Sequence, residues 1–336
     1  MKVKIDVKLW LGIAISGFFM MLLFRKIDFN QLWTALLKVD YRYIVLAVLV
    51  TFASYLLRAV RWHYLLIPEK RIPLSSLYPA TIIGYMANNL LPARLGEFIR
   101  AYVLARKEGL QTATVFASLV IDRLFDGFTV ILILLFTLFT IKLPQGLTDA
   151  ETVLKTGGVV TFALYAGIII FLILLKHQTM RTLYWTGFLL KPIPQKLSDR
   201  IIQMLGSFIG GIRISSKGGD ISALLISSIL VWICCIIPVY SVLLGFDIKL
   251  PVVASMFILV LLVFAVMVPA SPGYVGTYHY ACFKGLSAFG IPESTAVTVA
   301  LVIHAIGFFP VIIAGVYYTW KNKLSFSELQ GTEKSR

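Results

Sequence analysis

The sequence predicts an all-α polytopic membrane protein with about six full spans and two re-entrant helical hairpins, at about 20 residues per span. Three observations lead there. Hydrophobic residues make up 59% of the 336 and charged residues only 14%, where a soluble domain holds about 45–50% and about 25%. The apolar runs are continuous, not alternating, which argues against a β-barrel. Two of the runs are broken by proline, glycine or asparagine, as happens where backbone turns at membrane depth behind protein or beside water. A secreted domain, a soluble enzyme and a disordered tail are excluded as readings of the whole chain.

In chain order the first run is 9–25, closed by Arg25-Lys26 with no clear small-residue cleavage site, so a retained span is expected. The second span is 43–66. The stretch 78–91 carries Asn88-Asn89 and stops at Pro92, and with 96–107 it forms the first expected hairpin. Spans 112–141 and 157–175 follow. In 197–213, Leu197, Ile201, Leu205, Phe208 and Ile212 recur at helical spacing, which predicts either an amphipathic interfacial helix or a plain elbow between spans. Span 222–245 precedes the second hairpin. There 252–268 stops at Pro269 and runs through Pro272, Gly273 and Gly276 into 277–290. Span 294–320 ends the apolar sequence, and 326–336 is a polar tail.

The net charge of +15 does not point to nucleic acid, because the basic residues flank apolar runs and so set orientation. With the N-terminus inside, 20 basic residues fall on the inner side and 7 on the outer. Both termini are therefore expected in the cytoplasm, with the chain in the cell membrane.

Residues 1–325 read as a single integral membrane domain with an internal repeat. Unit 41–141 and unit 220–320 each hold a long span, a leg ending in Pro-Ala, a glycine turn, a second leg and a long span. Gly109 precedes Arg123 by 14 residues, and Gly290 precedes His304 by 14. Span 157–175 and the cytoplasmic segment 176–220 separate the units and invert the second. Inverted repeats of broken helices place a transporter's substrate site near the midplane.

Charges inside spans cost about 2.5–3.5 kcal/mol each on insertion scales, so they need partners or water. Arg58 and Arg61 share one helix face. They either recruit an anion or snorkel to the interface. Asp122 and Asp126 share a face, with Arg123 expected to point elsewhere. Glu97 is expected to pair with Arg123 across the first hairpin, as substrate contact or as structural glue. Asn88, Asn89, Arg94 and Arg100 are further candidates for head-group contact. In the second hairpin Tyr278 and His279 stand opposite His304, either as a proton-coupled pair or as a hydrogen-bonded neutral pair. Pro92, Gly96, Pro269, Pro272, Gly273 and Gly276 are the expected hinge positions. No catalytic residue, metal site or cofactor is assigned. The three cysteines form no disulfide framework, the histidines lack further zinc ligands nearby in sequence, and no Walker loop or nucleophile elbow is present.

Three stretches resemble the lysylphosphatidylglycerol synthase transmembrane family, also called the flippase-like domain family. They are 92–100 (Pro-Ala-Arg-Leu-Gly-Glu-Phe-Ile-Arg), 122–126 (Asp-Arg-Leu-Phe-Asp) and 272–276 (Pro-Gly-Tyr-Val-Gly). Arg58, Arg61 and Trp62 fit the family's second span, and the resemblance runs over about 10–320. It implies a polytopic inner-membrane protein that moves or handles polar lipids. Fused members carry a following aminoacyl-transferase domain. None lies within these 336 residues, so synthase activity is not expected. His279 stands where the family often has glutamate, and His304 where it has arginine.

The leading expectation is a flippase-like protein that binds and moves polar lipids, anionic or isoprenoid-linked, across the cytoplasmic membrane. Two alternatives stay open. One is an intramembrane lipid-modifying enzyme using Asp122, His279 or His304. The other is a non-transporting partner of a lipid or glycan synthesis enzyme, bound through the 176–220 loop.

Overall fold

The computed structural model describes residues 29–91, 95–141, 217–267 and 272–324, with scattered positions within 156–215. The expected first span, the 197–213 helix, the polar tail, most of 157–175, and Pro92, Arg94 and Pro269 lie outside the described residues. Every regular element among the described residues is helical.

Helix α1 is Phe29–Lys38 and α2 is Tyr41–Leu66. Asp40 starts α2: its carboxylate accepts from the Arg42 amide at 2.9 Å, a standard N-cap. Its own amide donates to the Gly245 carbonyl at 2.9 Å. Helix α3 is Leu74–Leu90, α4 is Gly96–Glu108 and α5 is Thr112–Thr140. Helix α6, Thr179–Leu189, falls in the segment expected to carry only the 197–213 helix. It exposes Tyr184, Trp185 and Phe188. Helix α7 is Gly218–Gly245 and α8 is Val252–Met267. A 3-10 turn, Pro272–Tyr274, leads into α9, Thr277–Ser287, and α10 is Glu293–Lys321.

Helices α2, α7 and α10 are long and apolar enough to cross a membrane, matching three expected spans. Helix α5 has the length, with 29 residues, but carries Asp122, Arg123 and Asp126. At 1.5 Å per residue α4 is about 20 Å long and α9 about 17 Å, less than the roughly 30 Å of hydrocarbon. The outer faces are apolar: Leu49, Phe136, Phe139, Ile229 and Ile313 are exposed. Water would not tolerate so much apolar surface, whereas lipid tails do.

Among the described residues, beside two smaller ones, two large apolar cores form. One gathers Trp62, Leu77, Ile83, Met86, Leu104 and Leu119 from α2 to α5. The other gathers Val242, Ile258, Phe283 and Ala300 from α7 to α10. Helices α2 and α7 pack along each other and join the two, while α10 crosses onto α3. Outside the apolar stretches, Lys70 ties the α2–α3 loop to the end of α4 through Glu108, at 2.8 Å. Lys70 and Ser76 hydrogen bonds hold the Glu108 carboxyl below the usual glutamate range.

The α3–α4 crossing is close because both helices present glycine. A Cβ on Gly96 would overlap the Gly84 carbonyl oxygen and lie 2.5 Å from Asn88 Oδ1. Neither backbone can yield without moving a helix. Gly96→Ala is expected to cost about 1–3 kcal/mol, the usual range for overpacking. Thermal unfolding in detergent checks this, with Gly218→Ala, beside which nothing lies within 4 Å, expected to unfold near the wild-type temperature.

Candidate functional site

Arg58 and Arg61 of α2, Glu97 and Arg100 of α4, and Asp122, Arg123 and Asp126 of α5 collect into one largely buried cluster. From α2, Arg61 donates from Nε to Asp122 Oδ1 at 2.7 Å and from Nη2 to Asp126 Oδ1 at 2.8 Å. Its Nη1 reaches Ser228 Oγ on α7 at 3.4 Å. One turn earlier, Arg58 donates to Asp126 Oδ2 at 2.9 Å and lies over the rings of Tyr85 and Trp232, at 5.4 and 5.8 Å. Arg100 of α4 donates to Asp122 Oδ2 at 3.3 Å and stacks 4.0 Å from the Trp62 ring. That ring is fixed in turn by its Nε1 donating to Ser118 Oγ at 2.9 Å.

Arg123 completes the cluster. Its Nη1 donates to Asp126 Oδ2 at 2.9 Å and its Nη2 to the Tyr85 hydroxyl at 3.0 Å. Its Nε lies 3.2 Å from Glu97 Oε1, so the expected Glu97–Arg123 pair forms. The side chains of Arg58, Arg61 and Arg100 are 9%, 0% and 1% exposed, whereas Arg123 is 36% and Glu97 22% exposed. Four guanidiniums face three carboxylates, Asp122, Asp126 and Glu97, which leaves one positive charge in excess. The deep pairs satisfy one another, as buried ions must. The excess sits nearest the surface, at Arg123.

One open alternative is decided here and one expectation is corrected. Arg61 does not snorkel, because Asp122 and Asp126 offer it closer partners than any interface. The anion that Arg58 and Arg61 gather is the protein's own aspartate pair. Arg123 does not point away from Asp126: the i, i+3 spacing lets its long side chain fold back onto that carboxylate.

Asn88 sits at the end of α3 and holds the start of α4. Its Oδ1 accepts from the Gly96 amide at 2.9 Å, and its Nδ2 faces Glu97 Oε1 at 3.4 Å. Asn89 is half-buried, and its carbonyl oxygen lies 3.6 Å from where a Cβ of Gly273 would stand. The junction of α3 and α4 therefore touches the 272–274 turn of the other half. Gly273 has φ +75 and Gly276 φ +95, conformations that glycine adopts freely.

The histidines hold that turn. His304 Nε2 lies 2.8 Å from the Gly273 carbonyl, which can only accept, so Nε2 carries the hydrogen. The Gly276 amide donates to His279 Nδ1 at 3.3 Å, so that nitrogen is the acceptor. The rings meet edge to face with centroids 4.6 Å apart, and Tyr278 lies 4.9 Å from the His304 ring. The expected histidine contact is present, but each ring bonds to backbone instead of to the other. Among the described residues no group of three or more metal-ligating side chains occurs.

Sequence reasoning missed Tyr85, Trp62, Ser118, Trp232 and Ser228. Trp62 directly follows Arg61 in sequence, yet the guanidinium it stacks with is Arg100. Tyr85 gave no signal, since its role depends on α3 lying across α5.

These features define a helical membrane protein with one interhelical cluster of buried arginines and aspartates. The chain belongs to the lysylphosphatidylglycerol synthase TM region family, whose sequence profile matches residues 9–315. It is similar to a UPF0104 membrane protein of Methanothermobacter thermautotrophicus, 27% identical over 85% of this chain and 87% of that protein. It is also similar to the UPF0104 membrane protein MJ1595 of Methanocaldococcus jannaschii, 23% identical over 94% of this chain and 95% of the relative. Glycosyltransferase AglD of Haloferax volcanii is 24% identical over 91% of this chain, which spans 53% of that longer protein. No solved structure matches.

Proposed function

We propose that this protein binds polar lipids and moves their head groups across the cell membrane, with both termini in the cytoplasm. The observation that carries this reading is the excess positive charge at half-exposed Arg123, which is linked through Glu97 to Asn88 at the end of α3, next to the Asn89 carbonyl that faces Gly273. A head group must leave water to cross, and such a charge gives it a partner.

The succession of helix lengths supports two repeat units with re-entrant hairpins. Helices α2 to α5 have 26, 17, 13 and 29 residues, and α7 to α10 have 28, 16, 11 and 29. Gly109 and Gly290, with φ +69 and +75, each stand three residues before the last helix of their unit. The bias of basic residues supports the orientation.

Transbilayer movement in proteoliposomes tests the reading. Vesicles holding the full chain are expected to move at least one of phosphatidylglycerol, phosphatidylethanolamine or an isoprenoid phosphate faster than protein-free vesicles. Equal rates for all three would overturn it. The glycosyltransferase name of one relative, twice as long as its matched part, favours a second reading in which the chain works beside a glycan- or lipid-building enzyme. Co-purification of such an enzyme that survives Arg123→Gln, with no lipid movement in vesicles, would select that reading.

A further inference from the structure

We infer that Glu97 is a resident carboxylate that a lipid phosphodiester displaces from Arg123, so the preferred ligand is a singly anionic head group without a compensating cation. The inference rests on the lipid-transport reading and names its substrate class.

Three observations carry it. First, Arg123 is anchored from behind by Asp126 and the Tyr85 hydroxyl, so it can change its outer partner without leaving its place. Second, that outer partner is weakly held. Glu97 Oε1 lies beside Arg123 Nε, yet that Nε has no well-aligned hydrogen bond, and the buried Glu97 Oε2 has no protein partner. Third, Arg100 is almost fully buried and underused. It makes one hydrogen bond through Nη1, and its Nε and Nη2 have no protein partner. Arg100 and Arg123 converge on the same oxygen, Asp122 Oδ2, at 3.3 and 3.7 Å.

Two neighbouring guanidiniums with spare donors suit the two anionic oxygens of a phosphodiester, which arginine bonds bidentately. The charge count agrees. With Glu97 released, four guanidiniums face only Asp122 and Asp126, so the cluster holds two excess positive charges, which an anionic head group reduces and a net-neutral zwitterion does not. Glu97 stands in the first turn of α4, so its release also removes one of the ties between that end of α4 and α5. Binding and movement of the broken helix are thereby linked.

The test uses the purified full chain in nanodiscs of phosphatidylcholine with a minor fraction of phosphatidylglycerol, followed by mass spectrometry of the lipids retained in detergent. Wild type is expected to enrich phosphatidylglycerol over phosphatidylcholine. Glu97→Gln removes the competing charge and is expected to raise that enrichment by about tenfold, a change of the size one charge-assisted bond gives. Arg123→Gln is expected to abolish it. Free glycerophosphoglycerol, the water-soluble phosphodiester of the same head group, is expected at millimolar concentration to reduce enrichment, since the recognised group is the phosphodiester. Enrichment that Glu97→Gln leaves unchanged or lowers, in a variant with wild-type unfolding temperature, would overturn the inference. So would insensitivity to glycerophosphoglycerol. Either result leaves the transport assay untouched, and absent transport with the expected enrichment would overturn the transport reading alone.

Discussion

Asp122→Asn is expected to destabilise the membrane core by about 3–5 kcal/mol, the cost of breaking a buried ion pair and leaving its partner charged. Asp122 is wholly buried and serves Arg61 and Arg100, which are buried as completely. An asparagine keeps the shape but not the charge, so two guanidiniums from two helices lose their common anion. Against a typical stability of about 5–15 kcal/mol, that loss is large. It should appear as a markedly lower unfolding temperature in detergent and poor recovery of monodisperse protein. Adding Arg100→Met to Asp122→Asn removes one of the orphaned charges and is expected to restore part of the loss, a coupling that a double-mutant cycle measures. Wild-type stability in Asp122→Asn would show that the cluster does not hold α2, α4 and α5 together.

Arg123→Gln should behave in the opposite way, folding well and failing to transport. Three guanidiniums then face three carboxylates, so the interior stays balanced. The side chain lost is the most exposed of the four. Its unfolding temperature is expected to stay within a few degrees of wild type. The rate of lipid movement is expected to fall by about tenfold or more, since the head group loses a charge-assisted bond in a poorly hydrated place. Arg123→Lys keeps a point charge without the planar fork and should fall between the two. A wild-type transport rate in Arg123→Gln would place the head group elsewhere.

The order of helices was legible because each apolar run is long and the breaks carry proline and glycine. Spans 43–66, 112–141, 222–245 and 294–320 correspond to α2, α5, α7 and α10. The Glu97–Arg123 pair and the contact of His279 with His304 were legible too, because an ionisable group in oil needs a neighbour and few were on offer. The deeper wiring was not. Which carboxylate Arg61 would choose depends on how α2 crosses α5, and no periodicity along one helix encodes that angle. Arg123 was misjudged for a simpler reason: helical-wheel geometry places Cβ atoms, whereas a long guanidinium reaches around the turn. The histidines bond to the 272–276 backbone because its left-handed residues turn a carbonyl and an amide toward them. That detail follows from backbone conformation, which a residue pattern does not spell out.

The central claim is that polar ligand can reach the place where the α3–α4 junction meets the 272–276 turn. Thiol labelling tests it most directly. In the full chain with Cys234, Cys235 and Cys282 replaced by serine, Asn89→Cys and Tyr274→Cys are each treated in proteoliposomes with a membrane-impermeant thiol reagent. Both are expected to react from at least one side, while Leu49→Cys, on the apolar exterior of α2, stays unmodified. If neither position reacts from either side while a thiol placed in the α2–α3 loop does, the joint of the two broken helices is sealed and the account fails.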